Sequence, residues 1–110
     1  MKSITKTTTE LTQERYDSKL KDVAQRAVNF AKTGNGWYSM RNAFDELCEQ
    51  SGANNGINHD ATVGRRKLLA QSVCLQCIRV LSKDAVDRLQ NKLYEISEDY
   101  NSRQARGFHR

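Results

Sequence analysis

GRRKLLAQSVCLQCIRVL, residues Gly64–Leu81, places three consecutive cations at the head of an almost wholly apolar run. On a wheel of about 100° per residue, Leu69, Ala70, Val73, Cys74, Cys77, Ile78, Val80 and Leu81 cover roughly half the circumference. Leu68 and Leu75, seven residues apart, form a second ridge off that arc, and a strip of Arg65, Ser72, Gln76 and Arg79 stays polar. A helix apolar over most of its surface is packed from several sides, so this one is expected at the centre of the fold. It is not a membrane span: Gln71, Gln76 and Arg79 interrupt apolar runs that are already too short.

Working outward, SGANNGINHD (51–60) reads as a loop, with Asn54-Asn55-Gly56 as its turn and Asp60 as N-cap of a helix over 61–81. Downstream, Ser82 caps a last helix, with Leu81 and Val86 spaced as a hydrophobic staple around it. Val86, Leu89, Leu93, Ile96 and Tyr100 then recur at intervals of three and four, a narrow seam that folds back on the central helix as an αα-hairpin. Toward the N-terminus, Thr12 is the cap of a first helix, with Leu11 and Tyr16 as its staple. The stripe Tyr16, Leu20, Val23, Ala24, Ala27, Phe30 and Ala31 runs to a stop at Gly34. Trp37, Met40, Ala43, Phe44, Leu47 and Cys48 mark a second helix that ends near Ser51-Gly52. A helix-turn-helix is disfavoured, because Phe30 occupies the position before the turn that requires a small residue.

The expected fold is therefore all-α: a compact four-helix domain with helices over 12–33, 38–50, 61–81 and 83–101 and the third buried centrally. It forms one domain, 12–101, between an N-terminal arm (1–11) and a basic tail (102–110). The absence of proline fits this reading, and a mean hydropathy of -0.79 makes the chain soluble with an economical core. The first 15 residues contain no apolar signal segment, which points to the cytoplasm.

Cys48, Cys74 and Cys77 are an odd number in a reducing compartment. Cys74 and Cys77 form a C-x-x-C, yet no second pair completes a tetrahedral site, and both lie in the apolar arc as small hydrophobes. No metal, no cofactor and no catalytic group is expected: His59-Asp60 lacks a nucleophile beside it, and no glycine-rich phosphate loop is present.

Net charge is +5, and residues 61–82 hold four cations with no carboxylate. Arg65, Arg66 and Lys67 in the first turns of a helix oppose its macrodipole, an arrangement that a phosphate backbone would reverse. They are expected to contact nucleic acid, DNA or RNA, together with Arg103, Arg106 and Arg110 of the tail and an exposed Tyr38 available for stacking. Solvation, or pairing with Asp45, Glu46 or Glu49, is the alternative for the three cations. Trp37 is expected to be a core lid. Leu68, Leu75 and Tyr94 are the expected partner interface, and the leucine ridge suggests a homodimer. Two non-enzymatic functions follow: a small nucleic-acid-binding regulator, or a protein–protein module acting as adaptor or inhibitor of a larger assembly. Size and composition suit an accessory protein of a bacterium, phage or mobile element.

Overall fold

Thr12 opens the first helix through its hydroxyl, which accepts from the Arg15 N–H at 3.2 Å while its own backbone stays extended. The computed structural model describes residues 12–100. Among them are α1 (Gln13–Thr33), α2 (Trp37–Gln50), α3 (His59–Cys77) and α4 (Lys83–Glu98), with a short 3-10 turn at Ala53–Asn55 and no strand. The fold is all-α. The arm, the tail and the staple residue Leu11 lie outside the described residues.

Gly34 ends α1 in the left-handed region, φ +77°, where its N–H reaches the Phe30 carbonyl at 2.8 Å. A side chain there would be strained, so this glycine fixes where α1 stops and α2 turns back. Ser82 caps α4 as expected, its hydroxyl accepting from the Ala85 N–H. Gly56 is needed for a different reason. Its N–H donates to the Thr62 hydroxyl at 3.1 Å, and a Cβ would fall 2.5 Å from the Thr62 nitrogen. The loop is thereby folded tightly against the first turn of α3.

Two boundaries of α3 differ from expectation. Asn58, not Asp60, is the N-cap: its side-chain oxygen accepts from the Ala61 N–H at 2.8 Å. Asp60 then stands in the first turn, where its charge suits the helix dipole. At the other end α3 stops at Cys77, four residues before Leu81. The N–H groups of Val80 and Leu81 both turn back to the Cys77 carbonyl at 3.1 Å. Since Ser82 fixes the start of α4, the residues 78–81 must leave the helix for the chain to reverse. Ile78 and Val80, expected in the apolar arc, are consequently exposed.

α3 packs against α1, α4 and the 3-10 turn, while α1 also packs against α2. Its buried row is Thr62, Arg66, Ala70, Val73, Cys74 and Cys77. Small residues let α1 and α3 approach closely: Ala24 and Ala27 are buried, and the Cys77 thiol reaches the Ala24 carbonyl at 3.7 Å. Met40, Phe44 and Leu47 of α2 and Leu89, Leu93 and Ile96 of α4 complete the core. The helix is not enclosed on all sides, however. Leu68 and Leu75 on its outer face are 62% and 67% exposed, the ridge that the sequence left for a partner. No helix among the described residues is long and apolar enough to cross a membrane.

Candidate functional site

Three consecutive residues on a helix point about 100° apart, so Arg65, Arg66 and Lys67 cannot share a face. The structure sends them to three environments. Arg66 turns inward and is 1% exposed. One terminal nitrogen, Nη2, donates to Asp45 Oδ1 at 2.7 Å and to the Ile96 carbonyl at 3.2 Å; the other, Nη1, donates to Asn54 Oδ1 at 3.0 Å. The guanidinium carbon lies 5.6 Å from the Phe44 ring centre and 5.0 Å from that of Tyr100. A single side chain thus joins α2, the 3-10 turn, α3 and α4. The expected phosphate contact at Arg66 is corrected on this ground: the group is buried and its terminal nitrogens are occupied.

Lys67 pairs across to α4, with Nζ 2.8 Å from Glu98 Oε2 and 5.2 Å from the Tyr94 ring centre. Arg65 stays exposed, and its hydrogen bond to the Gly52 carbonyl is long at 3.4 Å. Residues 12–100 contain thirteen Lys and Arg against twelve Asp and Glu, a net charge of +1. Most of the basic excess therefore belongs to the segments outside the described residues, which include Arg103, Arg106 and Arg110.

The aromatic candidates separate in the same way. Tyr38 is 71% exposed at the start of α2, as expected, and is not among the residues that line the groove beside Arg65. Trp37 is partly buried against Phe30, with ring centres 5.4 Å apart, and acts as a lid. Tyr94 is partly buried, and its hydroxyl accepts from Gln71 Nε2 at 2.8 Å. It ties α4 to α3 and offers little free surface to a partner.

All three cysteines are free and buried. Burial pushes the Cys48 and Cys74 thiols up to about 12 and the Cys77 thiol up to about 11, against an ordinary value of 9.0. At Cys48 the Arg66 charge offsets part of this, while Asp45 and Glu49 add to it. The thiols are therefore neutral at physiological pH, which suits their packing in the core. No group of three or more His, Cys, Asp or Glu among the described residues could hold a metal ion.

The raised thiol values carry a sign for stability. In the unfolded chain the thiols ionise from about pH 9, whereas the fold keeps them protonated up to about 11 or 12. Their contribution is complete below pH 9 and is lost as pH rises through that window. Urea midpoints should fall between about pH 9 and 11, and a chain carrying Cys48→Ala, Cys74→Ala and Cys77→Ala should lose less over the same range.

Among the described residues, the exposed large hydrophobics are Ile57 in the loop before α3, Tyr38 on α2, and a group on the outer face of α3 and the turn after it. Leu68 and Leu75 stand on that face, and Ile78 and Val80 follow in the turn, each about half exposed or more. Beside Leu68 lies a groove of about 330 Å³, lined by Tyr16, Ser51, Gly52, Ala53, Arg65, Leu68, Leu69 and Ser72. The groove and the contribution of Ile78 and Val80 were not visible in the apolar pattern. Only the cap at Ser82, which forces the preceding residues out of the helix, could have signalled the latter. A second cleft of about 380 Å³ lies between Trp37 and Arg41 of α2 and Glu95, Ile96, Glu98 and Asp99 near the end of α4. Most of its charges are matched within the fold, Arg41 with Asp99 at 3.0 Å and Glu98 with Lys67.

Comparison of the chain with protein-family models, with curated proteins and with solved structures returns no match.

Proposed function

We propose that the chain is a non-enzymatic protein–protein interaction module, an adaptor or inhibitor that seats a partner on the outer face of α3. The observation that carries this reading is that four of the six exposed large hydrophobics among the described residues, Leu68, Leu75, Ile78 and Val80, belong to α3 and the turn after it, while Tyr38 and Ile57 stand singly elsewhere. Exposed apolar residues gathered on one helix and its adjoining turn, among polar neighbours, are a feature of interaction surfaces. The alternative as a nucleic-acid regulator loses its main support. Of the three cations at the head of α3, Arg66 is part of the core and Lys67 is paired with Glu98, while the domain carries a charge of only +1. Binding to phosphates would fall to Arg65 and the terminal segments.

Affinity capture from the native host, with and without nuclease, separates the two. A protein partner that survives nuclease and high salt supports the module. Loss of all bound material on nuclease treatment, with affinity falling steeply as salt rises, would support phosphate contacts instead.

A further inference from the structure

Arg65, Leu68, Ser72, Leu75 and Arg79 follow one another at intervals of three, four, three and four. Arg65 to Leu75 follow the spacing of a single helical seam, here turned outward, and Arg79 lies beyond the end of α3 at Cys77. Leu68 and Leu75 are about 10.5 Å apart along the axis of α3, with an arginine about one turn beyond each. Arg79 sits in the turn that the Leu81 N–H closes onto the Cys77 carbonyl. Both arginines are exposed, and neither meets a carboxylate among the described residues. At the centre Ser72 is small, and its hydroxyl already donates to the Leu68 carbonyl. The groove of about 330 Å³ opens along the same side, with Arg65 and Leu68 in its wall.

We infer that the occupant of this face is an acidic amphipathic helix of another protein, an inference that rests on the interaction reading above. Two apolar side chains one heptad apart would cover Leu68 and Leu75, one of their neighbours entering the groove. Carboxylates one turn outside them would meet Arg65 and Arg79. Charge decides against a second copy of the chain. Two α3 helices crossing antiparallel about Ser72 set the Arg65 end of one beside the turn that carries Arg79 in the other. A parallel pair brings each arginine against its own counterpart. Like charges juxtaposed in this way oppose association.

The test titrates the full ¹⁵N-labelled chain with three synthetic helical peptides of about 18 residues, enough for five turns. The first has two leucines one heptad apart with glutamates one turn outside; the second replaces the glutamates by lysine; the third replaces the leucines by serine. The acidic leucine peptide should shift the amides of Arg65, Leu68, Ser72, Leu75 and Arg79. It should bind about tenfold or more tightly than either control, less so at high salt. The double variant Arg65→Glu and Arg79→Glu should prefer the lysine peptide. Equal, leucine-dependent binding of the acidic and basic peptides would overturn the charge assignment and leave the interaction face standing. A concentration-dependent dimer abolished by Leu68→Ser with Leu75→Ser, and no peptide shift, would make a second copy the occupant and overturn the proposal. A strict monomer with no shift at α3 for any peptide would overturn both the proposal and the reading it rests on.

Discussion

Arg66→Ala should lower the free energy of unfolding by about 3–5 kcal/mol, while Arg65→Ala next to it should change it by no more than about 0.5 kcal/mol. Arg66 is 1% exposed, and its partner Asp45 has a side chain only 19% exposed. Removing the guanidinium therefore leaves a largely desolvated carboxylate without its 2.7 Å cation, and also leaves Asn54 and the Ile96 carbonyl short of a donor. It opens a cavity beside Phe44 and Tyr100 as well. For a domain of this size the loss corresponds to a fall in Tm of about 12 °C or more. Lys67→Ala should fall between the two, at about 1 kcal/mol or less, because its pair with Glu98 is partly solvated. Arg66→Lys tests the geometry of the fork: an ammonium cannot serve three acceptors across two elements and a turn, and should restore only part of the loss. Urea unfolding followed by circular dichroism reads all four variants. If Arg66→Ala does not fold, Arg66→Lys still gives the direction.

The row that places Arg66 inside was present in the sequence. Arg66 lies four residues before Ala70, seven before Val73 and eleven before Cys77, in register with the buried face of α3. Its charge, standing between Arg65 and Lys67, masked a periodicity that an apolar residue would have made plain. A charged side chain in a core row implies a buried partner, but nothing in one dimension specifies Asp45, 21 positions upstream. Local chemistry was more readable: the hydroxyls of Thr12 and Ser82 and the left-handed Gly34 set three helix ends where capping rules put them. The end of α3 was not readable from its own residues. No glycine or proline stops it, and the break after Cys77 comes from the need to turn back into α4. Leu68 and Leu75 were legible as a ridge, but their exposure depends on which neighbours α3 acquires, and α1 and α4 both pack on its other side.

Replacing both ridge leucines should give the opposite profile to Arg66→Ala. Leu68→Ser with Leu75→Ser alters side chains that are 62% and 67% exposed, so each change should shift stability by only about 0.5 kcal/mol. At a desolvated interface centre the two leucines together should contribute about 2 kcal/mol or more, at least about thirtyfold in affinity. Stability and partner binding should thus separate on one helix, with Arg66 on its inner row and the leucines on its outer one. The most direct measurement of this separation is capture of the native partner by the parent chain and by the leucine double variant, after nuclease treatment and at matched unfolding midpoints. The parent should retain a protein that the double variant loses by at least about thirtyfold. Equal retention by both, or a bound fraction that disappears with nuclease, would contradict the assignment of function to the outer face of α3.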